Sequence, residues 1–167
     1  MSKEAAEANV ERMNPSQRSV VSAVLAGGRN VFFHGAAGTG KSFVLQTIVA
    51  LLKATRGKNA VAVTAPTGIA AVGVGGITVH KFIGAGLCAG PVGMIVGTVM
   101  KSAVAKARWK ATDVLVIDEV SMLDADLLVK MDAVGRAARG QPDLPFGGMQ
   151  LVVTGDFYQV RPHSPHE

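Results

Sequence analysis

The chain has 167 residues, 49% of them hydrophobic, with a mean hydropathy of +0.32 and a formal charge of +5. That balance is enough for one domain with a filled core and excludes a disordered chain, while the apolar runs are too short and interrupted to span a membrane. One cysteine, Cys88, excludes an internal disulfide and a cysteine-built metal site, and the basic surplus admits a polyanionic partner.

Residues 1–12, MSKEAAEANVER, mix acidic and basic side chains without the apolar stretch of a signal peptide, and are set apart as an N-terminal tail. Residues 13–167 then read as one domain. Val31–His34 has the character of a strand, and a helix is expected from Lys41 to about Thr55. Ala60–Thr64 is a second strand. The glycine-rich stretch Gly75–Gly97 reads as a mobile loop, and Thr98–Ala111, with four basic residues, as a solvated basic helix. Val114–Asp118 is a third strand. After it, Leu123, Leu127, Met131, Val134 and Ala138 fall on one helical face. Gln150–Gly155 is a fourth strand. Apolar strands alternating with helices predict an α/β fold, a parallel sheet with helices on both faces.

The junction of the first strand and helix reads GAAGTGKS, from Gly35 to Ser42. Glycines there let backbone N–H groups turn inward around phosphate oxygens, and the following helix adds its positive end. Gly35, Ala36, Ala37, Gly38, Thr39, Gly40, Lys41 and Ser42 are thus the expected cradle of a nucleotide. Lys41 is expected to reach the β- and γ-phosphates and Ser42 to ligate Mg²⁺. Such a P-loop NTPase needs an acidic site at a neighbouring strand end. VLVIDE supplies it, with Asp118 expected at the metal and Glu119 placed to act as general base on water. VVTGDFYQV delivers Asp156 and Gln159 in the same manner, and Gln159 is a candidate γ-phosphate sensor.

Taken together, MNPSQ, GAAGTGKS, TAPTGIAA, GGITVHKF, IDEVSM and PFGGMQLVVTGDFYQV resemble the Pif (petite integration frequency) family of DNA helicases, from about Met13 to Pro162. The resemblance implies a RecA-like first motor domain that uses ATP and Mg²⁺ to move 5′-to-3′ on single-stranded DNA. DNA repair, recombination and telomere maintenance are the processes implied. An intracellular site is implied too, nuclear or mitochondrial in a eukaryote and otherwise cytoplasmic. By position, Gln17 looks like the residue that reads the adenine edge. Thr64, Pro66, Thr67 and Gly68 look like the first DNA-contacting motif, with Thr67 capping a helix that faces a phosphate. Thr78, His80 and Phe82 are candidate DNA contacts, by hydrogen bonding and by stacking. Two positions depart from the family's pattern: Lys81, commonly serine, and VRPH after Gln159, usually Leu-Pro-Pro.

The family carries a second RecA-like domain whose arginines complete the site, and nothing after Arg161 could form it. In related enzymes such an arginine is worth ~10³–10⁵ in rate. The expectation for this chain alone is therefore nucleotide binding with little turnover and no unwinding. The alternative is a relict nucleotide- or DNA-binding module without motor activity.

Overall fold

The computed structural model describes residues 1–36 and 38–156, so the expectations for Ala37, Gln159 and the VRPH departure lie outside the described residues. Two helices open the chain, α1 (Lys3–Arg12) and α2 (Pro15–Leu25), followed by β1 (Val31–His34) and α3 (Lys41–Arg56). Then come β2 (Val61–Ala65), α4 (Gly68–Gly73), β3 (Ile77–Thr78), α5 (Val79–Ile83), α6 (Val92–Lys101) and α7 (Ala103–Ala111). The chain closes with β4 (Val114–Ile117), α8 (Ala125–Arg139) and β5 (Gln150–Gly155).

The five strands form one parallel sheet in the order β1-β5-β4-β2-β3. Alternate residues of each strand point to opposite faces, and each face has its own core. Val63, Val116 and Val152 join Phe33 in the layer under α1, α2 and α3. Leu115 and Ile117 join the layer formed by α5 to α8 around Trp109 and Met131. A sheet covered on both faces was the expectation, and β4 is buried at every residue. No helix among the described residues is long and apolar enough to cross a membrane.

Several elements differ from the sequence expectation. Residues 1–12, set apart as a tail, contain α1, which packs on α3 with Ala6 fully buried. The stretch Gly75–Gly97 is not a loop: it holds β3, α5 and the start of α6. Thr78 caps α5 by accepting the Lys81 N–H at 3.2 Å, and Val79, Phe82 and Ile83 bury the helix's inner face. Gly84, at φ +80°, ends it in the left-handed region that glycine adopts without strain. The expected basic helix is two helices broken at Ser102, whose hydroxyl accepts the Ala105 N–H at 3.2 Å. It is not merely a solvated surface helix, since Trp109 is fully buried.

Arg139, in the last turn of α8, ties three elements together. Its guanidinium donates to Gly147 O at 2.8 Å, to Trp109 O at 3.2 Å and to Thr112 O, and lies 3.6 Å from the Asp113 carboxylate. It thereby satisfies the orphan carbonyls at the end of α7.

Candidate nucleotide site and adjoining groove

Because β1, β2, β4 and β5 are parallel, their C-terminal ends share one edge, where ligands bind in open α/β sheets. The loop after β1 carries Gly35, Ala36, Gly38, Thr39 and Gly40. Gly38 and Gly40 have φ of +80° and +86°, which turns the backbone so that Gly40 becomes the N-cap of α3. Lys41 and Ser42 are the first residues of that helix, where N–H groups have no intrahelical partner. The Lys41 ammonium donates to Gly35 O and, at 3.2 Å, to Ala36 O. Thr39 Oγ1 also donates to Ala36 O, at 2.8 Å.

Side chains from neighbouring positions pack close against the glycines of this loop. A Cβ at Gly35 would sit 2.6 Å from Thr39 Oγ1, and one at Gly40 would sit 2.9 Å from Gln17 Nε2. A glycine-rich turn, a helix start and a cation brought together in this way can hold a phosphate.

Gln17 touches the loop directly, donating to Thr39 O at 3.2 Å. Its Oε1 accepts the Asn14 N–H at 3.1 Å while Asn14 Oδ1 accepts the Gln17 N–H at 2.9 Å, a capping box that opens α2. A pocket beside the loop is lined by Asn14, Gln17, Val20, Phe33, Gly35 and Lys41, among others. Gln17 is therefore in place beside the cradle, with both ends of its amide held by the fold.

Across the edge, Asp118 follows the fully buried β4 and is itself buried. Its Oδ1 accepts the Glu119 N–H at 3.0 Å, and its own N–H donates to Thr64 O at 2.9 Å. Burial pushes its carboxyl above the ordinary value of 3.8; the Glu119 N–H opposes this, the Glu119 charge adds to it and the Lys41 charge opposes it. Lys41, at the start of α3, thus acts on the carboxylate that follows a different strand. Glu119 is half-buried with φ +52°, a left-handed conformation that is unfavourable for a side-chain-bearing residue and is characteristic of functional sites. One hydroxyl and two carboxylates are hard oxygen donors of the kind that suit Mg²⁺, which binds through one or two carboxylates plus substrate phosphates.

The raised pKa of Asp118 has a sign that can be checked. Its stability contribution is full below the unfolded value and is lost as pH rises through the folded value. Asp118→Asn keeps an Oδ1 acceptor for the Glu119 N–H and removes the buried charge. In metal-free buffer it is expected to be more stable than the natural chain at pH 7.5, with the gap narrowing towards pH 4.5. Urea midpoints at the two pH values test this, and a gap that does not change with pH contradicts it.

The candidate DNA residues divide into two groups. Thr67 caps α4, its Oγ1 accepting the Ala70 N–H at 3.3 Å, and Gly68 is the exposed first residue of that helix. Pro66, Thr67 and His80 line one groove together with Leu87, Met122 and Lys130. Thr78 caps α5, the helix that carries His80. Two others are corrected by the fold. Thr64 is fully buried and donates its hydroxyl to Val116 O at 2.8 Å, which ties β2 to β4 and leaves nothing to face DNA. Phe82 is fully buried against Trp109, ring centroids 4.6 Å apart, so it is not exposed for stacking on a base.

Sequence reasoning missed the rest of this groove. Leu87 is 86% exposed at its rim. Lys130 is almost wholly buried at its floor, its ammonium donating to Cys88 O at 3.0 Å and paired with Asp126. These residues come from segments far apart in the chain, and no local pattern marks them.

A family model described as PIF1-like helicase matches residues 12–166. The chain is 45% identical over 146 residues to the ATP-dependent DNA helicase RRM3 of Saccharomyces cerevisiae, covering 87% of this chain and 20% of that protein. It is 42% identical over 151 residues to the human ATP-dependent DNA helicase PIF1, covering 90% of this chain and 22% of that protein. Among solved structures it is similar to the Pif1 helicase of Candida albicans, with a TM-score of 0.84, 42% identity, and coverage of 91% of this chain and 34% of that one. It is also similar to Bacteroides Pif1 in complex with ADP-AlF3 and single-stranded DNA, with a TM-score of 0.74, 30% identity, and coverage of 92% and 34%. The chain thus spans about a fifth of the length of these curated relatives.

Proposed function

Because the chain belongs to the PIF1-like helicase family, we propose that it is the first RecA-like motor domain of an ATP-dependent DNA helicase. The observation that carries this is the meeting of the glycine-rich loop after β1 with Asp118 and Glu119 at one sheet edge.

In this reading the loop amides and the start of α3 bind the phosphates of ATP, and Gln17 borders the base. The Lys41 ammonium exchanges carbonyl partners for phosphate oxygens. Ser42 and Asp118 hold Mg²⁺, which neutralises charge on the phosphates when bound. Glu119 accepts a proton from the attacking water. Gln159 is assigned to the γ-phosphate by its place in the motif alone. Single-stranded DNA crosses the neighbouring edge, over Pro66, Thr67, Gly68, Thr78 and His80, with the α4 amides meeting its phosphates. A second RecA-like domain supplies the arginines that complete hydrolysis, and movement 5′-to-3′ requires both. The DNA substrate is intracellular, in the nucleus or mitochondrion of a eukaryote and in the cytoplasm otherwise.

Hydrolysis assays with and without single-stranded DNA test the reading. The chain is expected to bind ATP and turn it over slowly, with DNA raising whatever turnover there is. Glu119→Gln is expected to remove that turnover by about 10²–10⁴-fold, the usual worth of a general base. Turnover that survives Glu119→Gln overturns the assignment of the base. DNA affinity is expected to fall steeply between 50 and about 200 mM salt, and a flat profile would overturn the phosphate contacts.

A further inference from the structure

Four threonines are buried in this domain: Thr47, Thr64, Thr112 and Thr154. Three of them give their hydroxyl a partner. Thr47 donates to Phe43 O at 2.8 Å, Thr64 to Val116 O at 2.8 Å and Thr112 to Arg108 O at 2.9 Å. Thr154 is 0% exposed, and among the described residues its Oγ1 has no hydrogen-bond partner at all. A hydroxyl left in that condition is unfavourable to the fold, whereas a valine of nearly the same shape carries no such penalty.

The position of Thr154 gives the hydroxyl a use. It lies on β5, between the phosphate-loop strand and the strand that delivers the acids, and pairs in register with Phe33 of β1. On its other side Val153 pairs with Ile117, so Thr154 and Asp118 are the next residues along. Pairing continues that far, because the Asp118 N–H still donates to Thr64 O. Two residues earlier, Val152 and Val116 both belong to the core layer under α3, as does Phe33. Strand alternation therefore sets Thr154 and Asp118 on that same face, the face whose helix begins at the phosphate loop. The neighbouring turn adds a second hydroxyl of the same kind. Ser121 Oγ is buried without a partner, and a Cβ on Gly155 would lie 3.2 Å from the Ser121 N.

We propose that Thr154 is a positioning residue of the nucleotide site, its buried hydroxyl hydrogen-bonding a water that the Asp118 carboxylate holds beside magnesium-bound nucleotide. The inference rests on the nucleotide-site reading above. It explains why a polar group is kept where an apolar one would pack as well. A buried polar group next to a binding site is commonly satisfied by ordered water instead of by the fold.

The experiment compares the natural chain with Thr154→Val, Thr154→Ala and Thr154→Ser. Thermal melts are recorded without nucleotide, and a fluorescent ADP analogue is titrated with Mg²⁺ and with EDTA. Thr154→Val is expected to melt at or above the temperature of the natural chain. Its affinity in Mg²⁺ is expected to fall by about 2- to 12-fold, the worth of one hydrogen bond, with no change in EDTA. Thr154→Ala shows the same loss in Mg²⁺ whatever its melting temperature, and Thr154→Ser restores it. A valine variant that melts lower and binds normally in Mg²⁺ overturns the proposal, since the hydroxyl then serves the fold. Equal losses in Mg²⁺ and EDTA overturn it also, because they mark a general distortion. Lys41→Ala separates the two levels of the argument. If it binds the analogue as the natural chain does, the nucleotide-site reading fails; if it loses binding while Thr154→Val does not, only the role of Thr154 fails.

Discussion

Trp109→Ala is expected to lower the stability of the domain by about 3–5 kcal/mol, the usual loss for deleting a buried large aromatic side chain. Against a typical total of roughly 5–15 kcal/mol, that is enough to leave the folded state marginal. Trp109 is fully buried, and its ring lies 4.6 Å from that of Phe82. Its indole N–H donates to Ile83 O at 3.2 Å, so alanine also strands a buried carbonyl. The adjacent Arg108 donates to Phe82 O at 2.9 Å with its guanidinium 5.9 Å from the Phe82 centroid, and α5 hangs from α7 by these contacts. Because α5 carries His80, the groove beside the nucleotide site is expected to lose its wall along with the core. Urea denaturation measures the loss directly. A change under about 1 kcal/mol would mean that α5 and α7 are held together by something other than this ring.

Lys41→Ala is expected to weaken ATP binding by about 10- to 150-fold, from the ~1.5–3 kcal/mol that a hydrogen bond to a charged group contributes. The fold should not suffer in proportion. Among the described residues the ammonium bonds to Gly35 O and Ala36 O, two carbonyls of the loop it serves. Those partners are weak substitutes for phosphate oxygens, so the charge is available to a polyphosphate. Isothermal titration with ATP, beside a melting curve for each protein, separates the two effects. An affinity unchanged by the substitution would remove Lys41 from the phosphates, and with it the loop's assignment.

How much of this was readable in the sequence follows from how local each feature is. The loop between β1 and α3 is contiguous, and its glycines, lysine and serine sit between an apolar strand and a helix, the context that a phosphate-binding turn needs. The same holds for Asp118 and Glu119, delivered by four apolar residues. Thr64 and Phe82 were misjudged for two different reasons. Every strand of a doubly covered sheet is apolar on both faces, so its sequence does not say that Thr64 is committed to Val116 O. Phe82 follows Val79 at helical spacing, which is the pattern of an inward face, but the surrounding glycines made the segment look like a loop. Gly84 stops a helix instead of loosening one. The groove floor was out of reach altogether, because Lys130 meets the Cys88 carbonyl from 42 residues away.

If the Lys41 loop and the Asp118 carboxylate form one nucleotide site, magnesium must couple them. The most direct test is the affinity of a fluorescent ATP analogue for the natural chain, Lys41→Ala and Asp118→Asn, each in Mg²⁺ and in EDTA. Mg²⁺ is expected to strengthen binding to the natural chain, and Asp118→Asn to abolish this gain while matching the natural chain in EDTA. Lys41→Ala should bind weakly in both. An affinity that ignores Mg²⁺ in the natural chain, or a Mg²⁺ gain that survives Asp118→Asn, would mean that the loop and the carboxylate do not share a site.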